Sequence, residues 1–277
     1  MPKPPLILIH GYPFDHTLWK EVVSALPRDL AVITPDLPGF GDDPVATAEP
    51  SLDVMADALF ALLNLRQLER AVLVGMSMGG YVALSFAERH RERMAGLALL
   101  STQAAADTPE ARRSRREMIT TLAKRGAGAA TEAMAAKLFS PHHPPEQLKV
   151  WRSLADTSAE KAGVAGLSWA LEAMAQRPER LELLKTITLP VSVVHGMDDQ
   201  LLSVERAKEM AALLPNSSLT LIPGCGHCTP LEAPDRVAQE LVKLAERSES
   251  AVLNLRVAPK LENSRPGVVW SPTEHGL

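Results

Sequence analysis

Ala71-Val72-Leu73-Val74-Gly75-Met76-Ser77-Met78-Gly79-Gly80-Tyr81-Val82-Ala83-Leu84-Ser85-Phe86-Ala87 is the stretch that decides the fold. Residues 71–74 form a short apolar run, the pattern of a buried strand, and residues 80–87 read as a helix packed from its first turn. Ser77 stands at the corner between them. Small neighbours let such a corner close and push the serine hydroxyl up off the sheet. The free N–H groups and dipole of the following helix favour developing negative charge there. This is the right place for an acyl-transfer nucleophile. The pentapeptide Gly-x-Ser-x-Gly alone is weak evidence, because glycine and serine are common and an ordinary glycine-rich turn would match it. The rest of the chain has to supply a base and a carboxylate.

Outward from that corner, apolar runs alternate with helical patterns. Residues 6–9, 31–34 and 96–100 read as further strands, with helices over 18–26 and 52–65, the latter capped by Ser51. This rhythm implies βαβ units and a mostly parallel sheet. It stops at Thr102. Up to about Thr188 there are only helical stretches, near 109–125, 128–139, 145–156 and 159–177, broken by glycines and prolines. Strands resume over 191–194 and 218–222, and an amphipathic helix follows over 235–247. The expected organisation is an α/β core of residues 1–102 and 187–248 carrying about six strands. A helical lid over 103–186 is inserted after the fourth strand, above the carboxyl edge of the sheet. Residues 249–277, with Pro259, Pro266 and Pro272, read as a loosely attached tail.

The 277 residues suffice for one large α/β domain. A net charge of −4 gives no reason to expect nucleic acid or an anionic membrane as partner. No signal peptide precedes the apolar run at residue 6, and that run is too short to span a bilayer, so a cytoplasmic protein is expected. Two cysteines make no disulfide framework. Cys225-Gly226-His227-Cys228 has the CxxC spacing of redox and metal sites, but no second ligand pair stands at fitting spacing. Neither a metal nor a cofactor is expected.

A serine nucleophile needs a base, and the base needs an orienting carboxylate. His227 follows the last strand in the glycine-flanked loop Pro223-Gly224-Cys225-Gly226-His227, which suits an imidazole carried over the sheet edge. His10, His90, His142, His143 and His195 occupy positions more easily read as structural or solvated. At the end of the preceding strand, His195-Gly196-Met197-Asp198-Asp199 offers two competing aspartates.

These motifs, with His10-Gly11-Tyr12-Pro13 and Asp36-Leu37-Pro38-Gly39-Phe40-Gly41, make the chain resemble the α/β-hydrolase family over residues 6–247. Within it the chain looks most like small carboxylesterases and the 3-oxoadipate enol-lactonase group. The resemblance implies a triad of Ser77, Asp199 and His227, because the family's acid lies three positions after the strand-end glycine. It implies an oxyanion hole from the backbone N–H groups of Met78 and Tyr12, Pro13 having none to give. It also implies a small ester or lactone substrate. Serine at the corner separates the chain from dehalogenases and epoxide hydrolases, which carry aspartate there. Two departures stand out: the antiparallel hairpin that commonly opens family members is missing, and the tail has no family counterpart.

The pocket is expected to use Met76, Phe139, Trp151 and Trp169, alongside Tyr12 and Met78. An enol-lactone bearing a carboxylate would want a cation in the lid, yet Arg112, Arg113, Arg115 and Arg116 read better as a solvated basic helix face. A slow-turnover ligand sensor on the same fold is the alternative of another class; a complete triad argues against it, since a pure binder needs none.

Overall fold

The computed structural model describes residues 3–257, so most of the expected tail, residues 258–277, lies outside the described residues. Six strands form one sheet: β1 (Leu6–Ile9), β2 (Val32–Ile33), β3 (Ala71–Met76), β4 (Met94–Leu100), β5 (Val191–Gly196) and β6 (Ser217–Ile222). Their order is β2-β1-β3-β4-β5-β6, and every pairing is parallel. From β1 the chain steps out to β2 and returns on the other side of β1 as β3. The winding direction therefore reverses between β1 and β3, and parallel α/β sheets bind ligands beyond the carboxyl ends at such a reversal.

Period-two alternation assigns the strand residues to two cores. Ile7, Ile9, Leu73, Leu97, Leu99 and Val193 face one side. There they meet Met55 and Leu59 of α2 (Leu52–Leu65), Val82 and Phe86 of α3 (Met78–Arg89), and Met210 of α8 (Val204–Leu213). Leu6, Leu8, Val72, Val74, Ala98, Leu100 and Val194 face the other side. That face is covered by Val22 of α1 (Lys20–Ala25) and by Val237, Leu241 and Leu244 of α10 (Pro234–Val257). Central strands β1, β3, β4 and β5 are buried along their whole length. The edge strands β2 and β6 are only partly so.

Between β4 and β5 lie only helices: α4 (Pro109–Arg125), α5 (Gly128–Met134), α6 (Pro145–Gln176) and the short α7 (Leu181–Leu184). Thr108 caps α4 by accepting the Ala111 N–H, with Pro109 in the first turn. The two helices expected over 145–156 and 159–177 are present within α6 as two helical stretches, but the kink that separates them falls at Gly163, whose φ of 66° is non-helical, rather than at 157–158. α4 and α6 pack on each other, and α5 lies against both. The last helix exceeds the sequence reading, continuing from 247 to Val257. The expected start of the tail at 249 is therefore helical as far as residue 257.

Candidate active site

Ser77 takes φ 53° and ψ −113° between β3 and α3, a conformation L-residues rarely adopt. The corner closes because its glycines leave no room for anything larger. A Cβ on Gly75 would lie 2.3 Å from the Gly79 carbonyl oxygen, and one on Gly79 would lie 2.3 Å from the Ile9 carbonyl oxygen. The strained residue is tied on several sides. Its N–H donates to Leu100 O (2.9 Å), its carbonyl accepts from Gly80 N (2.9 Å), and the Thr102 hydroxyl donates to the same carbonyl (2.8 Å).

The loop after β6 brings His227 over the corner. The Ser77 hydroxyl lies 2.9 Å from His227 Nε2, and His227 Nδ1 lies 2.8 Å from Asp199 Oδ2. A carboxylate can only accept, so Nδ1 carries the proton and Nε2 is free to accept from the serine. The Asp199 side chain is fully enclosed, and both of its oxygens accept hydrogen bonds. Oδ1 accepts the Leu201 and Leu202 N–H groups at 2.8 and 2.9 Å, while His195 Nε2 stands 3.4 Å from Oδ2. Burial pushes this carboxyl up, but the charge and hydrogen bond of His227, with the Leu202 amide, outweigh it and hold it below the ordinary range. Burial keeps His195 neutral against the pull of Asp199. Asp198 points elsewhere: its Oδ2 accepts the Ser140 hydroxyl at 2.8 Å.

The His227 loop is held by a residue that sequence reasoning passed over. Glu232, at the end of the short helix α9 (Thr229–Glu232), has a completely buried side chain. Its Oε2 accepts Gly226 N and Ser140 N, each at 2.8 Å, and its Oε1 accepts Cys228 N at 3.0 Å. His143 Nε2 adds a fourth contact at 3.1 Å. The amides on either side of His227 thus end on one carboxylate. Burial raises the Glu232 carboxyl above its usual range, against the pull of those donors.

Ser77 and His227 open into a cavity of about 430 Å³. Tyr12, which follows Gly11 at the end of β1, lines it, as do Tyr81, Met118, Met134, Leu171 and Met174. The four residues expected in the pocket are elsewhere. Met76 is fully buried in the core, its sulfur filling the space beside Gly11. Phe139 packs on Trp151 at 5.3 Å, both within the second core, and Trp151 on the partly buried His143 at 4.8 Å. Trp169 lies in the first core and donates its Nε1–H to Ala48 O at 3.1 Å. Met78 is also core, and as the first residue of α3 its N–H is among the helix's unpaired donors.

The basic face of α4 divides. Arg112, Arg113 and Arg116 line a surface groove, as expected of a solvated face. Arg115 does not belong with them; it lines the cavity beside Asp107. The signal was there in the spacing, because Ala111, Arg115, Met118 and Leu122 fall on one helical stripe whose last member is fully buried.

Cys225 and Cys228 are buried free thiols, and burial, with the nearby carboxylates, pushes both well above the usual thiol range, which disfavours the thiolate that redox or metal chemistry requires. Asp15, His16 and Asp36 could offer a metal three atoms within 4.8 Å of one another. Those atoms are already engaged: Asp15 accepts from Thr17, and Asp36 accepts from His16 and the Asp42 amide. No helix among the described residues is long and apolar enough to cross a membrane.

The chain matches the family described as alpha/beta hydrolase fold over residues 4–234. It is 30% identical over 255 residues to the pimeloyl-(acyl-carrier protein) methyl ester esterase of Aromatoleum aromaticum, covering 86% of this chain and 96% of that protein. A thermophilic esterase from Thermogutta terrifontis superposes with a TM-score of 0.83 at 35% identity, over 88% of this chain and 90% of that one. The enol-lactonase from Burkholderia xenovorans LB400 shares the fold, with a TM-score of 0.77 at 21% identity over 88% and 92% of the two chains. The six-stranded parallel sheet and the match over residues 4–234 agree, and the chain belongs to the alpha/beta hydrolase fold family.

Proposed function

We propose that this enzyme hydrolyses small carboxylic esters through an acyl-enzyme on Ser77. The observation that carries the reading is the unbroken line Asp199–His227–Ser77, with contacts of 2.8 and 2.9 Å, ending in a cavity. His227 Nε2 takes the hydroxyl proton as Ser77 Oγ attacks the ester carbonyl. The oxyanion is met by the N–H groups of Met78 and Tyr12, each contributing about 3 kcal/mol to the barrier reduction. His227 then protonates the leaving alcohol, and the acyl-enzyme remains. In the second half a water gives its proton to His227 and adds to the acyl carbon, and Ser77 leaves with that proton. Asp199 holds the tautomer and stabilises the imidazolium throughout. The helices over 103–186 act as a lid, since α4, α5 and α6 supply most of the cavity wall opposite the serine. Enclosed, unpaired thiols suit a reducing, cytoplasmic compartment.

The test is hydrolysis of p-nitrophenyl acetate by the wild type and Ser77→Ala. Loss of about 10³-fold or more in kcat/KM, with an unchanged circular dichroism spectrum, is expected. Turnover undiminished in the variant would remove Ser77 from the chemistry. Wild-type turnover near the uncatalysed rate would favour the slow sensor instead.

A further inference from the structure

One charged cluster in the cavity is unused by acyl transfer. Asp107 accepts from Arg115 Nε at 2.5 Å and is ion-paired with Arg177 Nη1 at 2.7 Å, so two guanidinium groups share a single carboxylate. The side chains of Asp107 and Arg177 are almost entirely enclosed, and that of Arg115 is 23% exposed. Within this trio the charge is therefore +1, and a buried charge left without a counter-ion is costly. The neighbouring carboxylate of Glu172 is engaged by Arg116 and Gln176 instead.

The two arginines have different duties. Arg177 also donates to Met174 O and Ala105 O and lies 4.1 Å over the Tyr81 ring. It does not line the cavity. Arg115 does, and its outer nitrogens are poorly satisfied: Nη1 reaches only the Met174 sulfur at 3.4 Å, and Nη2 only Asp107 Oδ1 at 3.5 Å. Thioether sulfur is a weak acceptor, and 3.5 Å is a long bond. In the same wall the Tyr12 hydroxyl is buried without a partner. Ser77 and His227 line the same cavity, and much of its remaining lining is short or flexible and apolar, with Ala111, Met118, Ala133, Met134 and Leu171.

The geometry points to Arg115 as a carboxylate-binding residue of the ester cavity, making the preferred substrate a monoanionic ester whose short apolar chain ends in a carboxylate remote from the scissile bond. This rests on Ser77 being the nucleophile. A planar guanidinium with two underused N–H edges suits a carboxylate, which would also balance the cluster's charge. The competing role for Arg115 is a clasp between α4 and the segment after β4, with no part in substrate choice.

The experiment compares mono-p-nitrophenyl adipate with p-nitrophenyl hexanoate, matched in chain length and differing in the terminal charge. The wild type is expected to favour the anionic ester by about 10- to 100-fold in kcat/KM, the value of a charge-assisted hydrogen bond. In Arg115→Gln that ratio should fall by about tenfold or more, and Arg115→Lys, which keeps the charge without the fork, should retain part of it. Calorimetric titration of the wild type with adipate itself, against neutral adipamide, reads the subsite without turnover or mutation. Adipate binding that is lost in folded Arg115→Gln supports the subsite even if neither ester is cleaved, an outcome that would overturn only the hydrolase reading. Hydrolysis of both esters at similar rates, or adipate binding no tighter than adipamide, overturns the carboxylate subsite and leaves the hydrolase standing.

Discussion

Ser77 and Asp199 show two ways in which a single residue is made fit for its place. Ser77 is made so by backbone geometry: φ 53° is sterically adverse, and the hydrogen bonds from and to Leu100, Gly80 and Thr102 hold it there. Asp199 is made so by three hydrogen bonds to its oxygens, which favour the ionised form although the side chain is buried. Its neighbour is a natural control. Asp199→Asn should lower kcat by about 10⁴-fold, by presenting His227 in the wrong tautomer. Asp198→Asn, whose partner is Ser140, should cost at most about tenfold. Steady-state kinetics on the pair decides it, and a larger loss at Asp198 would reassign the acid. The depressed carboxyl also has a sign in stability. A folded-state value below the ordinary 3.8 contributes stability above that pH, lost as pH falls through the folded value. The difference in unfolding free energy between wild type and Asp199→Asn should therefore be flat from about pH 7 to 5 and shrink below about pH 4.

At the scale of elements, the loop carrying His227 is fixed less by its own sequence than by α9 beneath it. Glu232→Ala would leave the Gly226 and Ser140 amides without an acceptor inside the protein and Cys228 with only Leu138 O. A loss of about 2–5 kcal/mol in chemical denaturation is expected. In the folded fraction kcat should fall with little change in KM, because an unmoored imidazole affects the chemistry more than ground-state binding. Equal stability and kcat in the variant would mean that the loop holds itself. No local pattern marks Glu232: a glutamate five residues after a histidine looks the same in sequence whether it faces water or three amides. The strand-to-helix corner was legible because two periodicities change within a few residues of Ser77, and the order of serine, aspartate and histidine followed the strand ends. The pocket was not. Periodicity shows that Met76, Phe139, Trp151 and Trp169 are buried, but a cavity wall and a core interior demand the same apolar residues. Arg115 was misread through being counted with its neighbours rather than by the helical face it shares with Met118 and Leu122.

For the whole molecule, the sheet is a common wall between two cores that differ in what they support. Leu99 lies in one and Leu241 in the other, both with no exposed surface. Truncating either to alanine should cost about 2–5 kcal/mol. Because the same strands serve both cores, each variant should unfold in one transition by calorimetry and by loss of esterase activity alike. Two separated transitions would show the faces melting independently. The division has another side. Tyr81, Ala130, Leu171 and Met174, which shape the cavity, belong to the first core, whereas Cys225 and Cys228, which bracket His227, belong to the second. Substitutions at those four positions thus spread their strain through one set of packed side chains, while the histidine's mooring sits in the other; of the cavity wall, Met134 touches both cores and Leu201 packs on the second. A lineage built this way can exchange one substrate for another by small steps, with the means of cleavage inherited intact at each.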